Sequence, residues 1–380
     1  MSGRNEITVS DASTADIVRR GHYGERGAKG QHLSVEEALY LIEMRNAVCV
    51  RAGKELSFEE IAAAFSKSSK FMARYFTYKD WRDRGLVAVP SGRKYEKPQK
   101  PESKEYPSSS LKLPKESIHA TFFQNDMISI LDEQDKGRNL YDRFWIGQFG
   151  SYKAADRGSL NKLDVYETLM LIDAGDLSLR NATRAEVASL ATGRRPDFMS
   201  LYEVYCDWRA KGYVVKTGFK FGTHFRVYFP GARPMGASDA EQTHSKHVIQ
   251  VFPKDSRLLI SEWARAIRVA HSVRKTFILA LPGRAKSGKK EIDYILYHRH
   301  GGEADAPGRN PPAFAMLSLG EEEYLSGQEL SNAISEASGK GLGLLLAIAD
   351  RETAVTYYRV RRIKLKGSAH DYFEIDWMQP

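Results

Sequence analysis

The stretch that decides the reading runs from Lys211 to Lys275. It opens KGYVVKTGFKFGTHFRVYFPG (211–231), resumes after a loop as THSKHVIQVFP (243–253), and closes SEWARAIRVAHSVRK (261–275). Tyr213, Val214 and Val215, then Phe219, Phe221, Phe225, Val227 and Phe229, are aromatic or β-branched and are punctuated by Gly212, Gly218 and Gly222, which predicts strand–turn–strand. Alternation puts Phe225, Val227 and Phe229 on one face and His224, Arg226 and Tyr228 on the other. His247 to Phe252 reads as a short apolar strand with His244 at its entry. Ser261 is the expected N-cap of a helix carrying Trp263, Ala266, Ile267 and Ala270 at helical spacing. Thr276 to Leu281 reads as a buried strand, so Lys275 stands where a helix turns into a strand.

Outward from this stretch the chain repeats itself. LSVEEALYLIE from Leu33 aligns with LDVYETLMLID from Leu163, Phe71-Met72 with Phe198-Met199, and YKDWRDRGLVAV from Tyr78 with YCDWRAKGYVVK from Tyr205. Two copies of one helical module are expected, each opened by an N-cap (Ser34, Asp164) and each leading from a tryptophan (Trp81, Trp208) into a strand. A third alignment pairs SNAISEASGKGLGLLLAIAD from Ser331 with ARAIRVAHSVRKTFILALPG from Ala264, placing Leu342 where Lys275 stands and Ser338 where His271 stands. The predicted class is α+β: helical modules beside mixed sheets. The expected segments are a first module (1–92), a polar, proline-bearing linker (93–116), a second module (117–214), a catalytic domain (215–300), a second linker (301–312) and a degenerate structural unit (313–380).

The chain has 380 residues and a formal charge of +9, with Lys and Arg spread along it, which favours an anionic partner gripped at several points. Its two cysteines, Cys49 and Cys206, are far apart, which excludes a disulfide framework or zinc module and points to a reduced, cytoplasmic setting. The sequence contains no run long enough to cross a membrane and no apolar signal core.

The blocks YVVKTGFKFGTHFRVY, HSKH and RVAHSVRK, in that order, resemble the catalytic domain of the archaeal tRNA-splicing endonucleases, and the unit pattern resembles that family's three-unit, homodimeric form. The resemblance implies a catalytic triad of Tyr228, His244 and Lys275. It implies that Arg268 stacks on a flipped bulge base and that a second arginine, for which Arg299 is the candidate, completes the sandwich. It also implies precursor tRNA with a bulge–helix–bulge as partner, a second copy of the chain, and neither cofactor nor metal. The loop from Phe229 to Thr243 is longer than that family's. An insertion in the second module, SYKAADRGSLNK (151–162), carries Lys153 as a further candidate RNA contact. Asp305, or Glu321 to Glu323, is the candidate acidic loop of the structural unit.

The residue types suit RNA scission. RNA carries its own nucleophile, the 2′-hydroxyl. Cleavage removes its proton, protonates the leaving 5′-oxygen and stabilises charge at phosphorus. An imidazole carries protons near neutral pH, a lysine supplies fixed positive charge, and a phenol can act as base. Each residue also has a plainer role: Tyr228 as strand packing, His244 as a solvated loop residue, Lys275 as complement to a helix dipole. Two rival functions stay open on the sequence: a non-catalytic RNA-binding subunit, and a metal-dependent restriction-type nuclease.

Overall fold

In the computed structural model, residues 7–96, 98, 103–151, 157–234, 244–283, 292–300 and 302–380 are described. An 11-stranded mixed sheet runs through the molecule. From one edge its strands are Val214–Thr217, Phe225–Tyr228, His247–Val251, Thr276–Leu281, Asp371–Met378, Val355–Leu365, Gly343–Ala349, Phe314–Gly320, Tyr294–Leu296 and Ala88–Pro90, with Lys104–Tyr106 added alongside Val355–Leu365. The order is that of two similar five-strand halves joined where Val355–Leu365 and Asp371–Met378 pair antiparallel.

Register makes the likeness of the halves explicit. In the first, His247 lies opposite Thr276 in a parallel pair and Val227 opposite His247 in an antiparallel one. In the second, Phe314 lies opposite Gly343 in a parallel pair and Leu296 opposite Phe314 in an antiparallel one. One helix accompanies each half, Ile260–Ser272 and Gly327–Gly339, and both bury their apolar faces in one shared core with Trp263, Ile267, Leu330 and Ala333. The expected cap at Ser261 is displaced: the helix begins at Ile260 with Leu259 in the N-cap position.

The two helical modules sit on the opposite face. Their opening helices, Val35–Arg45 and Val165–Asp173, start at Ser34 and Asp164 with complete capping boxes closed by Glu37 and Glu167. These carboxylates are sequestered and each meets a cation, Arg93 and Lys216 respectively. Trp81 and Trp208, both fully buried, press edge-on against Tyr357 and Tyr372 of the two central strands, at 5.4 and 5.2 Å between ring centres.

This arrangement revises the expected segments. The first module does not stand apart. Its strand Ala88–Pro90 pairs with Tyr294–Leu296, so it completes the half formed by the carboxy-terminal residues. The second module and the strands that follow it are inserted at what is, in the other half, the tip of a hairpin. Tyr294–Leu296, expected within a catalytic domain ending at 300, therefore belongs to the opposite half of the sheet. Part of the expected linker is also built in. Lys104–Tyr106 forms a parallel strand, Tyr106 is buried, and its hydroxyl donates to the fully buried Glu374 at 2.6 Å. Lys104 reaches the same carboxylate at 2.8 Å.

Candidate active site

Tyr228 ends the Phe225–Tyr228 strand. Phe225 and Val227 point into the core against the second module, as alternation requires, and Tyr228 packs in a separate cluster with Trp145, Phe149 and Val214. Its ring lies 4.7 Å from that of Trp145, so the phenol is held by aromatic packing and only 5 % of the residue is exposed. His244 is exposed at the entry to the His247–Val251 strand. Both residues line one cavity of about 290 Å³, together with Phe229, Pro230, Lys246 and His247.

Lys275 comes from the helix-to-strand junction. The helix closes with Lys275 N–H donating to Ala270 O at 2.9 Å, and Thr276 N–H then donates to Lys246 O at 2.8 Å, which starts the strand beside the histidine loop. The ammonium donates to the carbonyl of Ser245 and to its hydroxyl at 3.0 Å, and lies 4.7 Å from the Phe221 ring. Burial, assisted by the Arg226 guanidinium, pulls its pKa below the usual lysine value. The lysine is thus tied to the residue next to His244, at the end of the sheet where Tyr228 also emerges.

Two other histidines of the stretch, His224 and His247, are sequestered. Burial pushes His224 and His247 down to about 4, so both are neutral near pH 7. His224 Nδ1 accepts from the Val251 N–H at 2.9 Å. His247 stacks on Phe229 at 4.8 Å and meets Tyr106 edge-on at 5.5 Å. Tyr106 therefore braces the floor of the cavity, a role that a proline- and lysine-bearing linker gave no sign of. Phe219 to Phe221 form a short 3-10 turn instead of extending the next strand. Gly218 is required there, since a β-carbon would meet Thr223 Oγ1 at 2.5 Å.

The remaining candidates separate. Arg268 is exposed on the helix that leads to Lys275. Arg299 is not brought to this cavity: it follows Tyr294–Leu296 in the opposite half, and its guanidinium donates to Arg84 O at 2.6 Å. Lys153 lies outside the described residues. Asp305 is buried and accepts from Asn310, and Glu321 and Glu322 pair with Arg351, whereas Glu323 keeps a buried Oε2 with no hydrogen-bond partner among the described residues.

By register, in the opposite half Leu342 occupies the place of Lys275 and Pro311 that of His244, but Tyr297 occupies the place of Tyr228. That half therefore keeps a tyrosine and lacks the histidine and the lysine. Its tyrosine is fully buried, with the hydroxyl 3.3 Å from Glu96.

A mixed sheet with helices on both faces defines an α+β protein, and its cavity lined by Tyr228 and His244, beside the tethered Lys275 ammonium, gathers groups of the kinds that move protons and bind anions. Comparison with known proteins then places it. Residues 198–287 match the family model for the catalytic C-terminal domain of tRNA intron endonuclease, and residues 3–62 match that for its N-terminal domain. The chain is 35 % identical over 151 residues to a tRNA-splicing endonuclease of Methanopyrus kandleri, covering 38 % of this chain and 79 % of the relative. It is 37 % identical over 153 residues to that of Thermococcus kodakarensis, covering 39 % and 82 % respectively. Against the longer enzyme of Methanococcoides burtonii it is 26 % identical over 345 residues, covering 73 % and 94 %. The chain belongs to the tRNA-splicing endonuclease family.

Proposed function

We propose that this chain cleaves precursor tRNA at intron boundaries through Tyr228, His244 and Lys275. The observation that carries the proposal is the cavity shared by Tyr228 and His244, with Lys275 bonded to the residue beside His244. Tyr228 orients the 2′-hydroxyl and takes its proton. The 2′-oxygen attacks the adjacent phosphorus, and the bond to the 5′-oxygen breaks as His244 gives that oxygen a proton. Lys275 stabilises the charge that builds on the phosphoryl oxygens. The products are a 2′,3′-cyclic phosphate and a 5′-hydroxyl. Base, acid and countercharge all come from side chains, so the step needs no metal.

Among the described residues one cavity brings together Tyr228 and His244, whereas a bulge–helix–bulge is cut twice. This supports a homodimer with one live site per copy, which a mass measurement in solution tests. For the chemistry, a bulge–helix–bulge RNA is incubated with the protein in excess chelator and the new ends are analysed. Cyclic phosphate and 5′-hydroxyl ends without added metal are expected. Activity only with magnesium, or 5′-phosphate ends, would sink the mechanism.

A further inference from the structure

Arg274, between the catalytic half's helix and Lys275, has φ +55°, a left-handed conformation that residues with a β-carbon enter against steric resistance. The opposite half makes the same helix-to-strand turn: Leu342 N–H donates to Ala337 O at 2.9 Å, as Lys275 N–H does to Ala270 O. There the left-handed position holds Gly341, φ +77°, which meets no such resistance. The turn thus accepts glycine, and the catalytic half carries an arginine instead. Its side chain is exposed, and among the described residues no acidic group pairs with it. The preceding helix shows the same asymmetry. Arg265, Arg268 and His271 are exposed on it, and Asn332, Ser335 and Ser338 stand in the corresponding places of the other helix.

We propose that Arg274 binds the RNA backbone at a phosphate neighbouring the one that Lys275 contacts, and that the strained turn is kept because it aims a guanidinium there. This rests on the assignment of Lys275 to the scissile phosphate. A non-glycine residue at a left-handed position, where a structural repeat shows that glycine serves, marks a side chain retained for something other than folding. A guanidinium is suited to a phosphate because it donates two parallel hydrogen bonds. Each such contact also displaces counterions, so it is visible in the salt dependence of binding.

The test compares wild type with Arg274→Gly and Arg274→Lys, using a bulge–helix–bulge RNA that carries 2′-deoxy sugars at the scissile positions so that it binds without being cut. Arg274→Gly is expected to weaken binding about tenfold and to lower the slope of log affinity against log salt by about 0.7–0.9, the share of one phosphate contact, with no fall in thermal midpoint. Arg274→Lys should restore the slope. Unchanged affinity and slope in Arg274→Gly would overturn the proposal, and so would a lowered thermal midpoint, which would make the side chain structural. Separately, wild-type cleavage of the all-ribose RNA by Lys275→Ala would overturn the site assignment itself.

Discussion

The two halves of the central sheet have the same strand order, the same accompanying helix and the same tryptophan–tyrosine clamp, yet they differ at the positions facing the proposed substrate. Where one has His244, Arg268, Arg274 and Lys275, the other has Pro311, Ser335, Gly341 and Leu342. Leu342 is 2 % exposed and joins the shared core, so in that half the junction has reverted to packing. The fold therefore does not require the charged residues. Tyr297 marks the limit of the divergence: a phenol persists at the third position but is buried and turned to Glu96, so the ring serves packing as readily as chemistry. The two halves thus share the tyrosine, and of the three proposed catalytic positions only those of the histidine and the lysine differ.

The largest expected effect comes from making the catalytic half resemble its counterpart at one atom group. Lys275→Leu should lower the cleavage rate by about two to three orders of magnitude, the usual cost of removing a group that stabilises transition-state charge. The thermal midpoint should hold, because leucine fits the same junction opposite. Unfolding of the variant, or retained activity in single-turnover cleavage, would break the comparison.

The next effect concerns pH. His224 and His247 are both pushed down to about 4 by burial from an ordinary value of 6.5. The fold binds fewer protons than the unfolded chain between those values. Stability is thus fully present above pH 6.5 and is lost as pH falls towards 4, by up to about 3 kcal/mol for each histidine. Urea melts across this range should show the loss, and His247→Gln should remove the share of His247 while leaving that of His224. Phe314 occupies the place of His247 in the other half, so that position adds no slope, while burial also lowers the pKa of His298 in that half.

Smaller changes sharpen the picture. Arg268→Ala should weaken bulge binding by about 1–3 kcal/mol if the guanidinium stacks on a base, and Ser335→Ala, its opposite number, should do nothing; binding measured with uncleavable RNA decides it. Tyr106→Phe deprives the buried Glu374 of a donor and should destabilise the protein by about 1–3 kcal/mol, read from denaturant unfolding. Tyr297→Phe should leave the cleavage rate unchanged.

Much of this was legible in the sequence because local signals coincide with the fold. Capping boxes at Ser34 and Asp164, alternation through Phe225 and Val227, and the helix-to-strand switch at Lys275 all depend on residues close in the chain. What escaped depends on distant partners. Nothing near Ala88 tells that its strand pairs with Leu296, because an inserted unit separates the two. Lys104–Tyr106 lies among prolines and charges and becomes a strand only because the last residues of Val355–Leu365, from Ile363 to Leu365, and the carboxylate of Glu374 receive it. The position of Arg299 is hidden for the same reason: the strand before it is next in sequence to the catalytic half but lies at the far side of the sheet. Tyr297 was overlooked because its equivalence to Tyr228 rests on register with Phe314, which no local motif encodes.

In the proposed mechanism one half of the sheet cuts and the other only supports it. The most direct measurement follows both junctions of an intron-bearing precursor tRNA in the presence of His244→Ala protein. If each chain holds a single live cavity, neither junction is cut above background. Persistent cleavage at either junction would mean that a second site, outside the cavity of Tyr228 and His244, carries the chemistry.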